Sequence, residues 1–196
     1  MIPFLHMPSI PPPLPRVQNA GNIAWLDLEM TGLDPETDVI LEVALVVTDR
    51  ELRVLEEYTT AVWQPDEALA KMTPFVRGMH EKTALVERVR ASKIDTFAVE
   101  RALLDRITGF CPYPAVLAGN TIGQDKRFIE RYMPGLAGYL HYRTLDVTSV
   151  KLLAKAWYGE AAVYGKPKDQ EHNALFDVRQ SILELLHYQK TIFRQR

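Results

Sequence analysis

Two carboxylates constrain this chain more than any other feature. Asp27 and Glu29 sit one residue apart near the end of an otherwise apolar run, Ile23-Ala24-Trp25-Leu26-Asp27-Leu28-Glu29-Met30. Thr31-Gly32-Leu33-Asp34-Pro35 follows with turn residues, so the stretch reads as a buried strand running into a tight turn. Strand side chains alternate between faces, which puts Trp25, Asp27 and Glu29 on one face and Ala24, Leu26 and Leu28 on the other. Two like charges side by side on a core strand are costly unless something cationic neutralises them. A divalent metal ion meets that need, and the rest of the chain is expected to supply further ligands.

The charge balance narrows what such a site could act on. The 196-residue chain carries a formal net charge of −2 and no polybasic run. Proteins that grip long nucleic acid neutralise many phosphates and are usually strongly basic. A nucleic-acid substrate here is therefore expected to be short or held locally. The single cysteine, Cys111, cannot form an intrachain disulfide, which fits a reducing compartment, cytoplasmic or alternatively the mitochondrial matrix. No apolar run reaches membrane-spanning length, so no membrane partner is expected. Residues 1–20 stand apart, with Pro3, Pro8, Pro11, Pro12, Pro13 and Pro15 but neither the n-region of a secretory signal nor the arginines of a transit peptide. They read as a disordered, polyproline-II-like extension ahead of a single domain over 21–196.

Periodicity outlines that domain. Strands are expected over 39–49 and 52–62, giving an antiparallel opening with the first strand. Helices are expected over 66–72, 82–91 and 95–110, the last capped by Asp95 or Thr96. A short strand over 115–118 leads to a helix over 124–132. A strand over 143–147, a helix over 148–157, a loop over 158–171 and a last helix over 173–189 complete the pattern. The whole reads as an α/β fold with a mixed sheet and helices packed on it.

Three further residues fit the metal hypothesis. Asp125 follows the end of the 115–118 strand and opens a helix. Its plain alternative is a first-turn acid favoured by the helix dipole. His172 and Asp177 lie five residues apart, a helical rotation of about 140°, so they cannot share one face of a regular helix. His172 is expected on the loop before the last helix, where a general base can swing in with substrate, and Asp177 in its first turns.

Taken in order, Asp27, Glu29, Asp125, His172 and Asp177 resemble the acidic and histidine residues of the DEDDh 3′-to-5′ exonuclease family, within it the oligoribonucleases. The resemblance runs from Asn22 to the C-terminus. It is carried by WLDLEMTGLDPETDVILEVALVVTD at 25–49, AGNTIGQDKRFIERYMP at 118–134, HYRTLDVTSVK at 141–151, and His172 with Asp177. It implies a ribonuclease-H-like mixed five-stranded sheet with helices on both faces. It also implies two Mg²⁺ or Mn²⁺ ions held by Asp27, Glu29 and Asp177, with Asp27 bridging, Asp125 contributing directly or through water, and His172 as general base.

The implied substrate is very short single-stranded RNA, down to dinucleotides, degraded to 5′-mononucleotides. Leu33 matches the family's apolar wedge, and Phe75 stands where tryptophan is usual. His80 is expected near the same pocket. The family resembles a homodimer in which Tyr142 and Arg143 cap the substrate's 5′-phosphate across the interface. Thr121 and Thr148 replace the usual serines but keep the hydroxyl, and Phe176 replaces an acid. Action on DNA ends or structured RNA is the alternative within the family. A binding module that has lost catalysis is disfavoured because all five chemical positions are filled. A dinucleotide-binding α/β protein is disfavoured because no glycine-rich phosphate loop follows the first strand.

Overall fold

The computed structural model describes residues 15–167 and 173–193. Five strands form one sheet in the order β3-β2-β1-β4-β5: β1 (Ile23–Met30), β2 (Ile40–Thr48), β3 (Val54–Ala61), β4 (Ala115–Gly119) and β5 (Leu140–Asp146). The first three are antiparallel neighbours, joined by short turns. Strands β4 and β5 run parallel to β1 and are reached through helices, as parallel pairing requires. The helices are α1 (Asp66–Leu69), α2 (Pro74–Lys82), α3 (Leu85–Ala91), α4 (Thr96–Phe110), α5 (Gly123–Tyr132), α6 (Pro134–Tyr139), α7 (Val147–Tyr158) and α8 (Ala174–Thr191).

The alternation along β1 sorts the two cores. Ala24, Leu26 and Leu28 pack with Val43, Leu45, Leu103, Ile107 and Phe128 under α4 and α5. Trp25 packs on the opposite face with Ala44, Val46, Ala174 and Val178 under α8, and its Nε1 donates to Thr48 Oγ1 at 2.9 Å. With helices on both faces, the inner strand β2 is buried along its whole length, which explains why it reads as an almost unbroken apolar run.

Local chemistry sets the helix starts. Asp95 caps α4 by accepting from Ala98 N at 2.8 Å, and Asn173 caps α8 by accepting from Phe176 N at 3.0 Å. The expected helix over 82–91 starts later, as α3, and a further helix, α2, precedes it. Helix α2 begins at Pro74 behind a Thr73 cap, and α3 begins after Ala84, held at φ 51°. Pro74 and Pro134 both sit in the first turn of a helix, where proline has no hydrogen bond to lose. Strand β5 starts earlier than expected, because Leu140 pairs with Ala115.

Residues 1–14 of the expected extension lie outside the described residues. Its last part runs along the end of α4, where Arg16 pairs with Asp105 at 2.8 Å and Asn19 N donates to Phe110 O at 3.0 Å. Among the described residues no helix is long and apolar enough to cross a membrane.

Leu103 of α4 is fully buried on the face away from Asp27 and Glu29. Leu103→Ala should cost about 2–5 kcal/mol of stability through the cavity it leaves. Urea denaturation should show a lower midpoint with an unchanged slope.

Candidate active site

Strand β1 delivers Asp27 and Glu29 to the face that α8 covers, and the first turn of α8 brings Asp177 to meet them. Asp27, Glu29 and Asp177 each offer a carboxylate oxygen, and these oxygens all lie within 4.8 Å of one another. Glu29 is buried, whereas Asp27 and Asp177 are partly so. Lys166, from the segment that follows α7, lies 2.5 Å from Asp177 Oδ1. Its charge opposes the mutual repulsion of Asp27 and Glu29.

One ammonium does not balance the group. Burial, then Asp177, Glu42 and Asp125, push the Glu29 carboxyl up to about 8. Burial, then Asp125, Glu29 and Asp177, push Asp27 well above the ordinary carboxylate range. Among the described residues such a cluster is short of positive charge. Its donors are all hard oxygens, the set that Mg²⁺ and Mn²⁺ prefer, so the residues fit a divalent site.

Asp125 lies beside the group. It opens α5, and its Oδ1 accepts from the backbone N of Leu28 at 2.9 Å. Burial raises its carboxyl to about 7 against the lowering effect of that hydrogen bond. One of its oxygens is therefore committed to holding β1. Gly119 makes the close approach of β4 to β1 possible, since a Cβ there would meet Leu26 O at 2.9 Å.

Beyond Glu29 the surface becomes apolar. Leu28, Glu29, Met30, Gly32, Leu33, Phe75, Val76 and Met79 line a groove of about 330 Å³. Leu33 and Phe75, on its rim, are 71% and 79% exposed. The Leu33 carbonyl is tied to α5, accepting from Gln124 Nε2 at 2.5 Å and Arg127 Nη1 at 3.4 Å. His80 is fully buried beneath the groove rather than on its surface. Its Nε2 donates to Met30 O at 2.9 Å and its Nδ1 lies 3.9 Å from Glu29 Oε2.

A third group lies past Asp125. Thr121 adopts φ 52°, a strained backbone for a β-branched residue. It is held there by its N–H, which lies 3.0 Å from Asp146 Oδ1 and 2.9 Å from Thr148 Oγ1. Tyr142 and Arg143 project from edge strand β5, with the Arg143 guanidinium 4.8 Å from the Tyr142 ring. His172 lies outside the described residues.

Glu42 and Lys166 have no place in the reading of the sequence. A lone carboxylate inside the otherwise apolar β2 run was the available signal for Glu42. Lys166 carried none, being one of several charges in a loop.

The chain matches the exonuclease family RNase_T over residues 24–185. It is 44% identical over 178 residues to the oligoribonuclease of Francisella tularensis, covering 90% of this chain and 98% of that one. It is 46% identical over 175 residues to that of Alkalilimnicola ehrlichii, covering 88% and 90%. The chain belongs to the oligoribonuclease family of exonucleases.

Structural likeness agrees on the fold. A complex of E. coli exonuclease I with single-stranded DNA superposes with a TM-score of 0.68 at 17% identity, covering 89% of this chain. Exonuclease I from Methylocaldum szegediense gives 0.68 at 17% over 87%. The chain spans only about 41% of either exonuclease I. The fold of this chain thus recurs over part of those longer chains.

The raised carboxyls have a sign. Glu29 and Asp125 keep their protons in the folded, metal-free protein up to about 8 and 7, against 4.5 and 3.8 ordinarily. Between those values the folded state binds more protons than the unfolded one, so stability falls as pH rises. In chelator, the protein should melt at a higher temperature near pH 5 than near pH 8.5, and Glu29→Gln should flatten that slope. A parent melting temperature that rises over this window contradicts the electrostatic description.

Proposed function

We propose that this chain is a 3′-to-5′ exoribonuclease of very short RNA, dinucleotides and small oligoribonucleotides, releasing 5′-mononucleotides by metal-assisted phosphodiester hydrolysis. One juxtaposition carries the reading: Glu29 belongs both to the carboxylate group and to the wall of the apolar groove. A phosphate at the carboxylates therefore has its 3′-terminal base beside Leu33 and Phe75.

Asp27, Glu29 and Asp177 would hold two Mg²⁺ or Mn²⁺ ions, with Asp125 supporting them directly or through water. Bound there, the ions would supply an acidified water and charge for the leaving 3′-oxygen. Leu33 and Phe75 orient the terminal bases by stacking and apolar contact. His172 removes the proton from the attacking water, a role that rests on its place in the sequence resemblance. Thr121, Thr148 and Arg143 offer donors for the 5′-phosphate, Arg143 through its forked guanidinium. His80 acts from beneath, fixing Met30 and facing Glu29.

A homodimer completes the reading, with Tyr142 and Arg143 of each copy reaching the other's site. Support comes from the exposure of Tyr142 on the edge strand β5, and from α7, the next element in the chain, which exposes Leu152, Leu153 and Trp157.

Mononucleotide release from a 5′-phosphorylated diribonucleotide tests the proposal. Release should require Mg²⁺ or Mn²⁺ and be faster than from a long RNA or a deoxydinucleotide. Asp27→Asn should abolish it. Phe75→Ala should raise KM by the loss of about 1–3 kcal/mol of stacking. Metal-independent cleavage, or preference for long RNA or DNA, contradicts the reading.

Sedimentation at micromolar concentration should give a dimer. A fully active monomer removes Tyr142 and Arg143 from the partner's site.

A further inference from the structure

Glu42 is a carboxylate that the proposed chemistry does not use. It is the third residue of β2, directly opposite Glu29 in the antiparallel register, and is 1% exposed. Like charges directly across a strand pair destabilise it, and an apolar side chain at this position would remove the repulsion and fill the space. Glu42 is nevertheless no spare metal ligand, because both of its oxygens are engaged. Oε1 receives Arg88 Nη1 in a short ion pair, and Oε2 accepts from Ala174 N at 3.4 Å.

These two partners link different elements. Arg88 comes from α3, which is anchored by Leu85, Val86 and Val89 packed with Leu41. Ala174 is the first residue of α8, and Asp177 follows within the same turn, its amide donating to Asn173 O at 2.9 Å. Further along α8, Glu184 accepts from Asn120 Nδ2 at 2.9 Å at the end of β4. Buried carboxylates thus hold the helix to the sheet at two points, and the one nearer Asp177 is Glu42.

We infer that Glu42 and Arg88 are a positioning pair that docks the first turn of α8 on the sheet and so sets the Asp177 carboxylate relative to Asp27 and Glu29. Arg88 neutralises Glu42 beside Glu29, and the carboxylate then serves as a fixed, directional acceptor at the helix start, where the helix dipole also favours it. A slip of α8 by one residue moves Asp177 by about 1.5 Å along the axis. Displacements of that size cost on the order of a hundredfold in rate when they fall on reacting groups.

The inference rests on the metal-dependent reading of Asp27, Glu29 and Asp177, and the test separates the two. Mn²⁺ binding is followed by electron paramagnetic resonance in the unsubstituted protein, Glu42→Leu, Arg88→Met, Arg88→Lys and, as a destabilised control remote from the site, Leu103→Ala. Hydrogen exchange over residues 173–178 is followed in the metal-free proteins, and circular dichroism checks folding.

Glu42→Leu and Arg88→Met should weaken Mn²⁺ binding about tenfold or more, speed exchange in the first turn of α8, and lower kcat with little change in KM. Arg88→Lys should recover most of the loss, and Leu103→Ala should bind Mn²⁺ like the parent. If Glu42→Leu does not fold, the two Arg88 variants decide. Parent-like Mn²⁺ affinity and exchange in a folded Glu42→Leu or Arg88→Met protein overturns the inference. So does a loss of affinity matched by Leu103→Ala. Absence of Mn²⁺ binding by the unsubstituted protein overturns the metal reading itself.

Discussion

The electrostatic cost of gathering carboxylates at a half-buried strand end is the constraint on which the rest of this structure depends. Asp27, Glu29 and Asp177 bring their oxygens within 4.8 Å of one another, with Asp125 alongside. A protein interior tolerates such a group only if protons or cations neutralise it. In the metal-free chain, protons do part of the work, as the upward shifts of Glu29 and Asp125 record, and Lys166 does part. Divalent ions with oxygen preference would do it better. The sheet is built to make the gathering possible. β1 lies between an antiparallel and a parallel neighbour, Gly119 lets β4 come close, and α8 is held to the strands by buried carboxylates.

The length selection we propose would grow from the same strand end. Within a few residues of Asp27 the chain passes from carboxylates to an exposed leucine whose carbonyl is clipped to α5. Helix α5 also holds the Leu28 amide through Asp125. One helix start therefore fixes the backbone on both sides of Glu29, so that the carboxylate group and the apolar groove keep a constant spacing. A small apolar groove and a near-neutral net charge suit a ligand recognised at its terminal bases, with few distant phosphates to be neutralised.

Much of this was legible in the sequence because it depends on local rules. The two-residue spacing of Asp27 and Glu29 dictates a shared face, and Trp25 on that face does meet α8 while Leu26 and Leu28 meet the other core. The strands and longer helices follow from runs of β-branched residues and 3.6-residue periodicity. Helices α2 and α6 were not expected, and each opens on a proline, Pro74 or Pro134, which is favourable at a helix start. His80 read as a pocket residue because burial depends on what covers it, and the sequence does not show that Met30 and Glu29 do. The partnership of Glu42 with Arg88 and α8 joins three elements far apart in the chain. Only the register of β2 against β1 makes it visible.

On the reading proposed here, the carboxylate group holds protons that divalent ions replace. Calorimetric titration of Mn²⁺ into the metal-free protein, repeated in buffers of different ionisation enthalpy, measures that exchange. At neutral pH, with Glu29 raised to about 8, binding should release about one proton or more per chain, falling toward zero at higher pH. Binding with no proton release at neutral pH would show that the carboxylates are already ionised, and would contradict the account.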